Sequence, residues 1–373
     1  MRVGINYLSP STAIDQETSR DKYRDFFDQV TWANDKGFTG IWITEHHFST
    51  YSLSASPLVL LAKAATLAPD LRVGTGILVL PLWDPVRLVA DVSTLDVISD
   101  GRFDLGIGRG YQPHEFHGFG RDLADSRAVF EESVDLIVRL LTERDITFPG
   151  RHHQVNTEVT VLPRAAQTPH PPIWMAAVTP ESTEYAVRRG FHHLGLALAT
   201  PAELAERWKL IEELARLAGQ DLTDIVYSAN RFVYCGTDPD ARRAAVREVA
   251  RQLGTSRALA QGAVPVHGVV PALDQVDPAD EALAEERLVA GGPAEVLRQF
   301  TELAQAGVTY VNAAFQYGAL PASESFASLR LFAAEVLPQL RDQSLLGDQS
   351  LLDGATTPVE STAAAALAGP GRG

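Results

Sequence analysis

Short, nearly uninterrupted apolar runs alternate with segments of helical period along most of the chain. The runs predict strands at residues 2–8, 39–44, 71–79, 102–107, 172–177, 192–196, 225–235 and 308–314. The segments between them predict helices at 20–36, 57–67, 85–99, 126–141, 180–189, 202–218, 239–253 and 294–306, with a last one at 323–340. Strands buried on both faces read as continuous apolar runs, as a parallel sheet covered by helices requires. The caps agree with this segmentation. Ser56-Pro57, Asp84-Pro85, Thr179-Pro180, Thr200-Pro201 and Asp238-Pro239 each set an N-cap side chain before a proline at the first helical position. Gly37, Gly190 and Gly307 stand where a left-handed residue ends a helix.

Eight strands, each followed by a helix, is the count of an α/β protein of the (β/α)8 TIM-barrel type. The lack of a glycine-rich first turn makes a doubly wound open sheet the weaker reading. Two excursions interrupt the alternation. Residues 146–162 combine β-branched side chains with turns at Pro149-Gly150 and Asn156, which predicts a hairpin insertion after helix four. Residues 254–289 show little periodicity, and so long a connection after strand seven predicts a mobile, lid-like insertion over the barrel mouth. Residues 1–341 are thus expected to form one barrel domain. Residues 342–373, with a repeated Asp-Gln-Ser-Leu-Leu and an alanine run, read as a disordered low-complexity tail.

Composition removes several functional classes. A net charge of −15 without any basic run argues against a nucleic-acid partner. The single cysteine, Cys235, precludes an internal disulfide or a multi-thiolate metal site and suits a reducing compartment. No apolar stretch approaches the roughly 18 residues of a membrane span. The first residues read as a strand and not as a signal peptide, so a cytoplasmic protein with no membrane partner is expected.

The chemistry concentrates where strands end. The apolar run from Gly40 to Ile43 leads into Thr44-Glu45-His46-His47, which puts titratable groups at the rim where barrels place their active sites. Two further doublets, His152-His153 and His192-His193, show that adjacency alone means little. Rings on successive residues of extended backbone point to opposite faces, so a doublet does not readily share a metal, and no metal site is expected. Position singles out His46 as a group able to move a proton near neutral pH. Position alone leaves open whether the ring does so or only hydrogen-bonds the rim. The fourth strand runs into Gly106-Ile107-Gly108-Arg109-Gly110-Tyr111, where glycines permit close approach and Arg109 can fork onto phosphate oxygens or onto a rim carboxylate. Tyr111 occupies the position where a dinucleotide fingerprint needs its third glycine. Thr179 and Ser182 open the next helix, whose free amides can take an anion, although for Thr179 alone a plain N-cap is the commoner explanation. Gly74 and Gly76 within the third strand suit either a flat ligand or tight barrel packing. No G-x-S-x-G elbow exists, while Glu45, Asp104 and Glu115 leave a glycosidase-like acid/base pair open.

Several of these motifs occur together in one order. Glu45-His46-His47-Phe48, the Val73-Gly74-Thr75-Gly76 strand ending Leu80-Pro81, the Asp84-Pro85-Val86-Arg87 helix start and the run from Asp96 to Gly110 resemble the bacterial luciferase-like flavin-dependent monooxygenase family. The resemblance covers about residues 1–340, densely over the first 130. It implies a barrel that takes reduced FMN from a separate flavin reductase and, through a C4a-peroxyflavin, oxygenates a small organic substrate. Matched position by position, it implies His46 as the catalytic residue and Arg109, Thr179 and Ser182 as phosphate contacts. Gly76 and Ile77 are implied as a non-proline cis peptide under the flavin ring, with Gly110 and Tyr111 completing the cofactor-binding turn. A homodimer through helices near the second and third strands is also implied. The chain departs from luciferase at Gly108, where luciferase has a reactive cysteine, and at Val178-Thr179, where it has Glu-Ser. Two other readings fit the same fold: hydride transfer with the deazaflavin F420, and a non-catalytic flavin-binding subunit.

Overall fold

The computed structural model describes residues 1–11, 13–195, 197–270 and 276–341. The first half contains β1 (Arg2–Tyr7), α1 (Gln16–Ala33), β2 (Gly40–Ile43), α2 (Pro57–Leu67), β3 (Arg72–Thr75), β4 (Leu78–Val79), α3 (Pro85–Ile98), β5 (Phe103–Gly108), α4 (Pro113–Gly118) and α5 (Ser126–Thr142). A hairpin of β6 (Ile146–Pro149) and β7 (Gln154–Val159) precedes β8 (Ile173–Ala176), α6 (Pro180–Arg188), β9 (His192–Leu194), α7 (Pro201–Ala218), β10 (Ser228–Cys235) and α8 (Pro239–Ala260). Then come α9 (Pro278–Arg287), β11 (Val289–Gly291), α10 (Pro293–Gln305), β12 (Tyr310–Ala314), α11 (Ala322–Glu335) and α12 (Leu337–Arg341).

Parallel pairing runs β10, β12, β1, β2, β3, β5, β8, β9, and a bridge between His193 and Tyr227 brings the two ends together. The His193 amide closes that seam by donating to the Val226 carbonyl at 2.9 Å. The sheet therefore curls round on itself as in a β/α barrel. Val30, Leu61, Leu88 and Ile137 from the helices join Val3, Ile41, Val73 and Phe103 from the strands in one buried core. Apolar burial of this extent is the main stabilising contribution to such a fold.

The strands' N-terminal ends are closed by a polar and aromatic plug. Arg72 grips Asp104 with two hydrogen bonds of 2.7 and 2.9 Å, and Trp174 Nε1 donates to the same carboxylate at 3.2 Å. Trp42 Nε1 donates to the Tyr310 hydroxyl at 2.9 Å, and Trp42, Trp174, Leu194, Val226 and Tyr310 pack together. Burial pushes both neighbouring imidazoles, His192 and His193, down to about 4.

The expected strand at 71–79 is broken in two. Val73 and Gly74 pair with Phe103 and Asp104, whereas Leu78 and Val79 pair with Ile107 and Gly108. Residues 75–77 thus stand opposite only 105 and 106, a bulge that turns the Gly76–Ile77 backbone out of the ladder. The Gly76–Ile77 peptide is cis. The Thr75 hydroxyl repairs the gap, donating to the Gly106 carbonyl and accepting from the Gly106 amide, both at 2.8 Å.

The segment 254–289 is more regular than its composition suggests. α8 continues to Ala260, α9 occupies Pro278–Arg287, and Arg257 pairs with the buried Asp280 to join them. Asp277 caps α9 by accepting from the Ala279 amide at 2.8 Å. Their buried faces are built largely from small residues, Ala245, Val246, Val249, Ala250 and Ala284, which pack with Tyr234 and Ala290 of the sheet and give only a weak helical period. Between them the Val266–Val269 turn lies on the loop after β2, where Thr50 N donates to Gly268 O at 2.7 Å. Residues 271–275, the tail at 342–373 and the expected strand end at Leu196 lie outside the described residues. The hairpin tip is fixed by Glu132, whose carboxylate accepts the amides of Arg151, His152 and His153 at 3.0, 2.7 and 2.6 Å. No helix among the described residues is long and apolar enough to cross a membrane.

Candidate active site

β2 is buried along its whole length, and the polar residues that follow it, Thr44 to His47, are buried as well. Buried polar groups must find partners, and here they form two carboxylate–imidazole pairs. His46 Nδ1 lies 3.1 Å from Glu115 Oε1, and the same oxygen accepts the His47 amide at 2.8 Å. His47 Nε2 lies 2.7 Å from Glu45 Oε1. Glu45 Oε2 accepts the Val79 amide at 2.7 Å, and Trp83 Nε1 reaches both Glu45 oxygens at 3.0 Å. Burial acts to raise the Glu115 carboxyl, but the hydrogen bonds from His46 and the His47 amide outweigh it and hold the group below its ordinary value.

Beside these pairs opens a cavity of about 490 Å³. It is lined by His46, Gly76, Ile77, Arg109, Gly110, Tyr111, Thr179 and Ser182, whereas Gly74, His47 and Asp104, also singled out in the sequence, do not border it. Gly110 has φ +77°, and a Cβ there would fall 2.4 Å from Val79 Cγ1. A Cβ on Gly108 would fall 2.8 Å from Ile77 Cδ1, so both glycines keep this wall thin. Arg109 is exposed and makes no ion pair or hydrogen bond with the described residues, which removes the rim-carboxylate reading. Thr179 does cap α6: it accepts the Ser182 amide at 3.3 Å while Ser182 Oγ accepts the Thr179 amide at 3.0 Å. The cap and an anion contact are compatible, because the helix terminus also faces the cavity.

Of the carboxylates open to a glycosidase-like reading, Asp104 lies away from the cavity, while Glu45 and Glu115 line it but already have partners. Asp104 belongs to the plug, Glu45 to Val79, Trp83 and His47, and Glu115 to His46. His47 is absent from the cavity wall and its ring packs edge-on to Phe119 at 4.8 Å, a structural placement. His114 Nε2 meets the His47 carbonyl at 3.2 Å, while His117 is exposed. Sequence reasoning missed Arg127 and Tyr185, which also line the cavity, and did not see that Glu115 serves His46. Arg127 follows Ser126 at the start of α5, so a basic residue in a first helical turn, against the helix dipole, was the available signal.

This arrangement can bind a flat anionic ligand and move a proton beside it. Comparison with known proteins gives it a class. The chain belongs to the luciferase-like monooxygenase family, whose model matches residues 1–310. An uncharacterized protein, y4vJ, of Sinorhizobium fredii is 34% identical over 224 residues, which are 60% of this chain and 63% of that one. The oxygenase component of a flavin-dependent trigonelline monooxygenase from Acinetobacter baylyi is 31% identical over 207 residues, 55% of this chain and 54% of that one. The chain therefore matches between about half and somewhat under two thirds of the length of these curated relatives. Among solved structures, the monooxygenase RslO1 from Streptomyces bottropensis superposes with a TM-score of 0.79 at 30% identity, covering 91% of this chain and all of that one.

Proposed function

We propose that this protein is the oxygenase component of a two-component flavin-dependent monooxygenase, using reduced FMN and O2 to oxygenate a small organic molecule. One observation carries the reading: a single cavity gathers a carboxylate-paired histidine, an unpaired guanidinium and a capped helix N-terminus. The residues fit FMN. Arg109, with Arg127, Thr179 and Ser182, offers donors for a phosphate. Gly76, Ile77, Val79, Met175 and Ala176 offer a thin, apolar wall for a ring system. Reduced FMN, when bound, supplies the electrons that activate O2. The protein's part is to hold the ring, limit water and handle protons at His46 Nε2, the ring nitrogen left once Nδ1 faces Glu115.

A flavin reductase is the partner this reading requires, in keeping with a relative described as an oxygenase component. The proposed homodimer would use α2 and α3, where Val59, Val97 and Ile98 are exposed. Anaerobic titration with FMNH2 and with F420 tests the cofactor: FMNH2 should bind, and tight F420 binding without FMNH2 affinity would sink the oxygenase reading. Reductase-coupled O2 uptake with a panel of small carbonyl and aromatic compounds then tests turnover. His46→Ala should abolish substrate-dependent uptake while keeping flavin affinity, and unchanged uptake removes His46 from the chemistry.

A further inference from the structure

We propose that Glu115 is the positioning residue of this site: its Oε1 holds His46 in the Nδ1–H tautomer and so presents Nε2 to the cavity as a base. The inference rests on the reading of His46 given above and adds a second residue that need not touch the ligand chemistry itself.

Two donors meet at one oxygen. The His47 backbone amide, 2.8 Å from Oε1, can only donate, and so pins the carboxylate's orientation. His46 Nδ1 stands 3.1 Å from that same acceptor. An ionised carboxylate has no proton to give, so the imidazole nitrogen facing it must carry one. The depressed carboxyl of Glu115 agrees with this ionisation. Water hardly competes, with the Glu115 side chain 1% and the His46 side chain 11% exposed. Tyr51 packs edge-on to the His46 ring at 4.7 Å, which restrains a ring flip. When Nε2 takes a proton the new imidazolium already faces a negative charge, and when Nε2 returns it the Nδ1–H stays in place. Glu115 never changes protonation state.

The neighbouring pair shows why this arrangement is specific to His46. Glu45 is equally buried and equally paired, but its oxygens also serve the Val79 amide and Trp83, and its histidine lies off the cavity wall. Glu45 thus ties the end of β2 to β4, whereas Glu115 acts on a ring that borders the ligand space. α4 makes this possible, since Pro113 opens it and the buried Phe116 anchors it.

Long-range 1H–15N correlation spectra of histidine-labelled protein, recorded without flavin, read the tautomer directly. Wild type should show His46 with a protonated Nδ1 and a bare Nε2. Glu115→Gln keeps an acceptor oxygen, because the His47 amide rejects a flipped carboxamide, so the tautomer should persist while turnover falls about tenfold for want of the charge. Glu115→Ala removes acceptor and charge together, so the tautomers should mix and turnover should fall about a hundredfold. A protonated Nε2 in wild type, or an unchanged tautomer in Glu115→Ala, would overturn the proposal. Because the spectra need neither flavin nor turnover, they are independent of the functional reading. Full turnover in His46→Ala would defeat that reading and leave the tautomer result standing.

Discussion

Each end of the barrel holds an arginine beside the sheet, and the two are chemical opposites. At the base, Arg72 is fully engaged: it binds both oxygens of Asp104 and reaches the Gly101 and Phe103 carbonyls and Gln167 at 3.4, 3.1 and 3.3 Å. At the mouth, Arg109 has no such partners among the described residues, although it sits in a glycine-rich turn that holds its backbone closely. A guanidinium whose N–H groups are all met within the protein contributes to the fold, whereas one left unmet beside a cavity is free for a ligand. The same contrast separates the titratable groups. The base buries neutral imidazoles, and the mouth buries imidazoles with carboxylates.

Asp104→Ala should break this comparison at its strongest point. It leaves Arg72 and the Trp174 indole without their acceptor, and stability should fall by about 3 kcal/mol in urea denaturation, with flavin affinity little changed in the folded protein. A loss near zero would mean that the plug does not hold the base. Acid should act next. His192 and His193 have folded values near 4 against about 6.5 when unfolded, so the unfolded chain binds more protons between those limits. Their contribution is present in full above pH 6.5 and is lost as the pH falls to 4, by ~3 kcal/mol for each ring. Denaturation midpoints at several pH values follow this, and His193→Gln should flatten the decline. Arg109→Ala should instead leave stability within about 0.5 kcal/mol and weaken FMN binding by about 10- to 100-fold. Riboflavin, which lacks the phosphate, should bind nearly as before, and equal losses for both ligands would contradict the phosphate assignment. The smallest effect belongs to Thr179→Ala, which removes a cap and should cost about 1 kcal/mol in thermal unfolding, with FMN affinity reduced only a few-fold.

Most of the alternation of strand and helix is visible in the sequence, because strands buried on both faces must be continuously apolar and prolines mark the helix starts. The misses have local causes. α1 begins before the expected residue 20 because Asp15 accepts the Thr18 amide at 2.7 Å, a cap that the polar first turn conceals. The break after Thr75 is invisible in an unbroken apolar run, since it depends on register with β5. α4 is only six residues long, too short for periodicity to show. The eight candidate residues that share the cavity stand out in the sequence because they lie in motifs at strand ends or, for Thr179 and Ser182, at a helix start. Glu115 stands out there only as a carboxylate; its pairing with His46, 69 residues away, exists only in the folded chain.

The seam between β3 and β5 decides where this cavity can change. A side chain at Gly106 would need its Cβ 1.8 Å from the Thr75 carbonyl oxygen, so that position admits no variation without moving backbone. Thr75 is equally restricted, because its hydroxyl replaces two ladder contacts. The opposite holds for Val178, which lines the cavity with 50% of its surface exposed and is free to vary in size. Substitutions there, with the seam left alone, change the shape of the cavity while the floor beneath it stays the same.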